Sequence, residues 1–145
     1  MFHRDFKEFI ELLSNHKVEY LLVGGYALGI YGYPRYTGDM DIWVKPTPEN
    51  AARVLTVLEE FGFGELELGE SDFVKPGNVI QLGYPPLRID LLTQPDGVEF
   101  SDSFSKRMDL EYDALVIHVI SLEDFKVNKA ASARPKDLED LRNMK

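Results

Sequence analysis

Residues 20–44, YLLVGGYALGIYGYPRYTGDMDIWV, decide how this chain reads. The stretch opens as an apolar strand, turns on Gly24-Gly25, and continues as a short helix from about Tyr26 to Gly32. Tyr33-Pro34 ends that helix, because a residue before proline avoids helical backbone. A loop with Arg35, Tyr36 and Thr37 then leads into a second strand that begins Asp39-Met40-Asp41. Side chains alternate along a strand, so Asp39 and Asp41 share one face while Met40 and Ile42 take the other. Two ionised carboxylates that close repel each other. A divalent cation between them relieves the repulsion, and hard oxygen donors of this kind suit Mg²⁺ or Mn²⁺. Gly24 and Gly25 supply the complement: they follow a strand and open a helix, so their N–H groups face outward at the positive end of the helix dipole with no Cβ to block an anion. A phosphate seat beside a carboxylate pair is the layout needed for a metal-bound nucleoside triphosphate.

The flanking sequence builds a domain around that unit. Phe6, Phe9, Ile10 and Leu13 form one helical stripe ahead of the first strand, residues 18–23. Thr47-Pro48 starts a helix whose face carries Ala51, Val54, Leu55, Leu58 and Phe61 and which stops at Gly62. Residues 63–77 read as a loop with at most a short strand near Phe73. Residues 78–83 and 87–93 read as a strand pair joined across Tyr84-Pro85-Pro86. The second of these places Asp90 alone among apolar residues, a costly position for a carboxylate unless positive charge meets it. Asp90 is therefore the candidate third member of the metal site, or else an ion-pair partner of Arg88 or Arg35. A short helix over residues 101–108, a strand over 114–120, a helix opened by Ser121 and running to about Ala133, and a last helix from Pro135 with Leu138 and Leu141 inward complete the pattern. Strands and helices in this order mean α/β or α+β.

Composition narrows the classes. The chain has 145 residues, 44% of them hydrophobic, enough for one solid core and an expected single domain. It contains no cysteine, which excludes a disulfide framework and a thiolate zinc site and agrees with a reducing, cytoplasmic setting. The charged first helix resembles neither a signal peptide nor an anchor, and no apolar run approaches a membrane span. A net charge of -9 argues against nonspecific binding to nucleic-acid backbone.

Gly24, Gly25 and Ala27, then Gly32, Arg35 and Thr37, then Asp39-x-Asp41, then Asp90 on a later strand together resemble the DNA polymerase beta-like nucleotidyltransferase superfamily. The ending ISLEDFKVNKAASARPKDLEDL resembles its small bacterial branch, related to abortive-infection and toxin-antitoxin nucleotidyltransferases. The resemblance implies an α+β nucleotidyltransferase fold, a mixed central sheet flanked by helices with a short C-terminal helical pair. It implies Asp39, Asp41 and Asp90 as catalytic, Mg²⁺-binding residues. It also implies Gly24, Gly25, Arg35, Thr37, Lys129, Arg134 and Lys136 as contacts to the NTP or acceptor. The implied reaction moves a nucleotide monophosphate from NTP to a hydroxyl on a tRNA, a protein or a small molecule and releases pyrophosphate. A homodimer or partner chain is one way to supply an acceptor surface. The other functional reading is a nucleotide-binding toxin-antitoxin partner that acts by association without turnover. Three departures from the family pattern stand out: Gly25 where many relatives have serine, Tyr31 where this branch often has histidine, and Ala133 where glycine is usual.

Overall fold

The computed structural model describes residues 3–33, 38–84 and 87–144. Six strands form one mixed sheet in the order β3-β4-β2-β1-β6-β5, with β1 Tyr20–Val23, β2 Asp39–Val44, β3 Val79–Tyr84, β4 Leu87–Leu92, β5 Met108–Tyr112 and β6 Leu115–Val119. The helices are α1 Arg4–Asn15, α2 Gly24–Ile30, α3 Pro48–Leu58, α4 Phe100–Ser105, α5 Leu122–Ser132 and α6 Pro135–Asn143. This is an α+β architecture with the C-terminal helical pair in place.

The central strands β1 and β2 run antiparallel, β2 and β4 parallel, and β1 and β6 parallel. β1 is buried along its whole length, as its unbroken apolar run requires. On β2, Met40 and Ile42 are buried on one face, while Asp39 and Asp41 share the other with Trp43. Trp43 is closed over by the edge of the Phe100 ring from α4 and donates its indole N–H to the Thr93 carbonyl. The predicted stripe of α1 is buried in full, against α3, β4 and β6. Thr47 caps α3 by accepting from the Asn50 N–H, with Pro48 in the first turn.

Four local expectations are corrected. α2 starts at Gly24 itself and ends at Ile30, two residues earlier at each end, because Gly24 can take the φ of +69° that enters the helix directly from β1. The inner face of α3 carries Val57, with Leu55 only half-buried. Phe73 is buried in a 3-10 turn, Glu70–Phe73, rather than a strand. On α6 the inward positions are Asp137, Asp140, the half-buried Leu141 and Met144, whereas Leu138 is 41% exposed. The strand β5 is additional, an edge strand paired antiparallel to β6. Among the described residues, no helix is long and apolar enough to cross a membrane.

Candidate functional site

Three adjacent strands converge on one spot. In the parallel register of β2 and β4, Asp39 lies opposite Arg88 and Asp41 opposite Asp90. In the antiparallel register of β1 and β2, Val23 lies opposite Asp41, so the next residue in the chain, Gly24, is carried onto the carboxylates. The contact is close. A Cβ added to Gly24 would collide with the Asp41 carboxylate, whose Cγ would stand only 3.0 Å from it. Gly24 is thus required twice, for its backbone conformation and for the space Asp41 occupies, while both glycines stay partly exposed.

A cavity of about 350 Å³ opens over this spot. Asp39, Asp41, Asp90, Gly24 and Gly25 line it from the sheet side, and Lys129, Arg134 and Lys136 line it from the C-terminal helices. Asp39 and Asp41 are half-buried and Asp90 is buried. Burial, reinforced by the neighbouring Asp90 and Asp39 charges, pushes the Asp41 carboxyl up to about 6, and Lys129 and Lys136 relieve it only in part. Burial also raises Asp90. Arg88 opposes that rise, Asp39 adds to it, and the carboxyl of Asp41 comes within hydrogen-bonding reach.

Arg88 is the site residue whose full role the sequence concealed. It enters the reading only as one possible ion-pair partner of Asp90. In the fold it bridges two of the acids, donating from Nη2 to Asp39 Oδ2 at 2.6 Å and holding Nε 3.1 Å from Asp90 Oδ1. As the side chains stand, no three His, Cys, Asp or Glu groups among the described residues close into a metal-ligand cluster. The predicted acids therefore share one wall of the cavity, with a guanidinium between two of them.

The basic wall is held by a residue that the sequence shows only as part of the K-x4-R-P-K-D tail. Asp137, fully buried, accepts from Lys129 Nζ at 3.1 Å, Ser132 Oγ at 2.6 Å and Arg134 Nε at 2.8 Å. Burial alone would raise its pKa, but the bonds from Arg134, Ser132 and Lys129 outweigh that and hold the carboxyl well below the usual range. The turn that brings these donors together is Ala133, whose φ of +50° is left-handed, a conformation that glycine adopts without a Cβ penalty. Tyr31, another departure, donates its hydroxyl to the Ile120 carbonyl at 2.8 Å and ties α2 to the end of β6. Arg35 and Thr37 lie outside the described residues.

A family model described as a nucleotidyltransferase of unknown function matches residues 3–145. The chain belongs to this nucleotidyltransferase family. No curated protein matches it. Among solved structures, this nucleotidyltransferase is similar to TM1012 of Thermotoga maritima, assigned as a nucleotidyltransferase, with a TM-score of 0.64 and 19% identity over 97% of this chain and 90% of that one. It is similar to the same degree, TM-score 0.64, to the lincosamide antibiotic adenylyltransferase LnuA bound to lincomycin, at 17% identity over 99% and 96% of the two chains. The antibiotic-resistance factor ANT(2'')-Ia follows with a TM-score of 0.60 and 12% identity over 96% and 80%. At these identities the likeness is one of fold.

Proposed function

We propose that this nucleotidyltransferase moves a nucleotide monophosphate from a metal-bound NTP to a hydroxyl acceptor, through Asp39, Asp41 and Asp90. The observation that carries the reading is the single cavity with three carboxylates on one wall and Lys129, Arg134 and Lys136 on the other. The acids fit a hard divalent cation. All their donors are oxygen, Asp41 is raised by burial and then by the neighbouring Asp90 and Asp39 charges, and Asp90 Oδ1 is buried without a hydrogen bond among the described residues. Mg²⁺ or Mn²⁺ held by Asp39, Asp41 and Asp90 would neutralise charge on the triphosphate and activate the acceptor hydroxyl.

The chain's own groups supply the rest. Gly24 and Gly25 leave room for phosphate oxygens beside the acids, and Lys129, Arg134 and Lys136 meet the triphosphate tail from above and stabilise the charge that builds up on the leaving pyrophosphate. Arg35 and Thr37 are proposed to complete the nucleotide contacts. Asp90 orients the acceptor hydroxyl or takes its proton as the acceptor oxygen bonds to the α-phosphorus and the bond to pyrophosphate breaks. A small hydroxylated acceptor suits the protein better than RNA, because the cavity's cations are engaged by the triphosphate and the chain's net charge is -9. LnuA, of the same fold, is a lincosamide antibiotic adenylyltransferase.

The test incubates the protein with each α-labelled NTP, Mg²⁺ or Mn²⁺ and fractionated cell extract, and asks which fraction takes label. Label on small molecules that disappears with Asp39→Ala and Asp41→Ala supports the reading. Equal labelling by wild type and both variants removes the carboxylates from catalysis. Tight Mg-NTP binding with no label in any fraction favours the association reading instead.

A further inference from the structure

Arg88 is not needed to hold β4 in the sheet, since its backbone pairing across from Asp39 and Gly83 does that. Its side chain is turned into the cavity instead. A guanidinium meets one carboxylate best as a two-pronged fork, with both hydrogen bonds straight. Here the fork is split between two acids. Nη2 makes a short hydrogen bond of 2.6 Å to Asp39 Oδ2 but only a long one of 3.4 Å to Asp90 Oδ2, and Nε and Asp90 Oδ1, although 3.1 Å apart, are not aligned for one, both atoms being buried with no hydrogen-bond partner among the described residues. Buried donors and acceptors left unaligned are expensive, so the hold on Asp90 is weak compared with that on Asp39.

Arg88 and a divalent cation bound by the acids call on the same oxygens, Asp39 Oδ2 and those of Asp90, and two cations there repel each other. The Arg88 side chain is only 27% exposed, so a guanidinium pushed off the acids by a metal alone would be left largely desolvated and unpaired. A triphosphate in the same cavity removes that difficulty, because its oxygens accept a guanidinium fork.

Building on the function proposed above, we propose that Arg88 is a resident counter-cation that competes with the metal for Asp39 and Asp90 and transfers to the triphosphate, so that metal and nucleotide bind cooperatively. Arg88 is then a positioning residue that makes the acids accept metal chiefly in company with substrate. Metal alone binds weakly, nucleotide raises its affinity, and by linkage metal raises nucleotide affinity by the same factor.

The test is a Mn²⁺ titration followed by electron paramagnetic resonance, with and without a non-hydrolysable nucleoside triphosphate, on wild type, Arg88→Met and Arg88→Lys. Methionine keeps an apolar stem and removes the charge. Lysine keeps the charge and cannot bridge two carboxylates. The expectation is that Arg88→Met binds Mn²⁺ alone roughly tenfold or more tighter than wild type and loses most of the nucleotide enhancement, a size typical of coupling between sites. Arg88→Lys falls between the two, and it carries the test if Arg88→Met fails to fold. Mn²⁺ affinity that is unchanged or weaker in the readable variant, while wild type still binds Mn²⁺ in an Asp41-dependent manner, overturns the competition and leaves the proposed reaction standing. No Mn²⁺ binding by any form, with or without nucleotide, overturns both.

Discussion

Asp41 should cost this fold stability, and removing its charge should return it. Its carboxyl is moved from an ordinary 3.8 to about 6 by burial and by the Asp90 and Asp39 charges. Each pH unit of displacement corresponds to about 1.4 kcal/mol, so an ionised Asp41 destabilises the native state by roughly 3 kcal/mol above pH 6. The sign follows from proton binding. Between about pH 4 and 6 the native state holds the proton more tightly than the unfolded chain, so this group's contribution to stability falls as pH rises through that window and is level above it. Asparagine has the same shape without the charge. In metal-free buffer, Asp41→Asn is therefore expected to exceed wild type by roughly 2–3 kcal/mol at pH 7.5, or about 5–10 °C in Tm for a chain of this size. The gap should shrink towards zero near pH 4. Thermal and urea unfolding followed by circular dichroism at four pH values measures both, and repeating the pH 7.5 series with Mg²⁺ and a non-hydrolysable nucleoside triphosphate should raise wild type and leave the variant where it was. A variant that is less stable than wild type at pH 7.5, or a gap that does not change with pH, would refute the reasoning, because Lys129 and Lys136 would then already neutralise the carboxylate.

Gly24→Ala combines a strained φ of +69° with a clash on Asp41 Oδ2, so it should lower stability by at least about 1 kcal/mol and abolish Mg-NTP binding in calorimetry, whereas Gly29→Ala, with open space around it, should retain binding. Ala133→Gly relieves the left-handed turn after α5 and should stabilise the protein by about 1 kcal/mol in urea unfolding. Asp137→Ala strands the buried Lys129 ammonium and should cost about 3–5 kcal/mol by the same assay, with little recovery in high salt because the pair is shielded from solvent.

What could be read from the sequence was what depends on local period. Alternation along β2 puts Asp39 and Asp41 together, and a lone acid in the apolar run of β4 marks Asp90. A diglycine between a strand and a helix marks the turn. Apolar period fails where charge does the packing: α6 turns Asp137 and Asp140 inward and leaves Leu138 in water, with Asp137 accepting from Lys129 and Ser132 of α5. It fails again at β5, whose residues MDLEY alternate half-buried with exposed at the sheet edge and so offer no apolar run. The pairing of Arg88 with Asp90 was within reach, but the second arm of Arg88 was not, for another reason. Its pairing with Asp39, 49 residues away in the chain, exists only because β4 lies parallel to β2 in one register. A shift of β4 by one residue would turn Arg88 and Asp90 to the opposite face together. The register that assembles the acid wall is therefore the same one that sets a guanidinium between its members. With this sequence on β4, the sheet brings the three carboxylates together only with the Arg88 guanidinium among them.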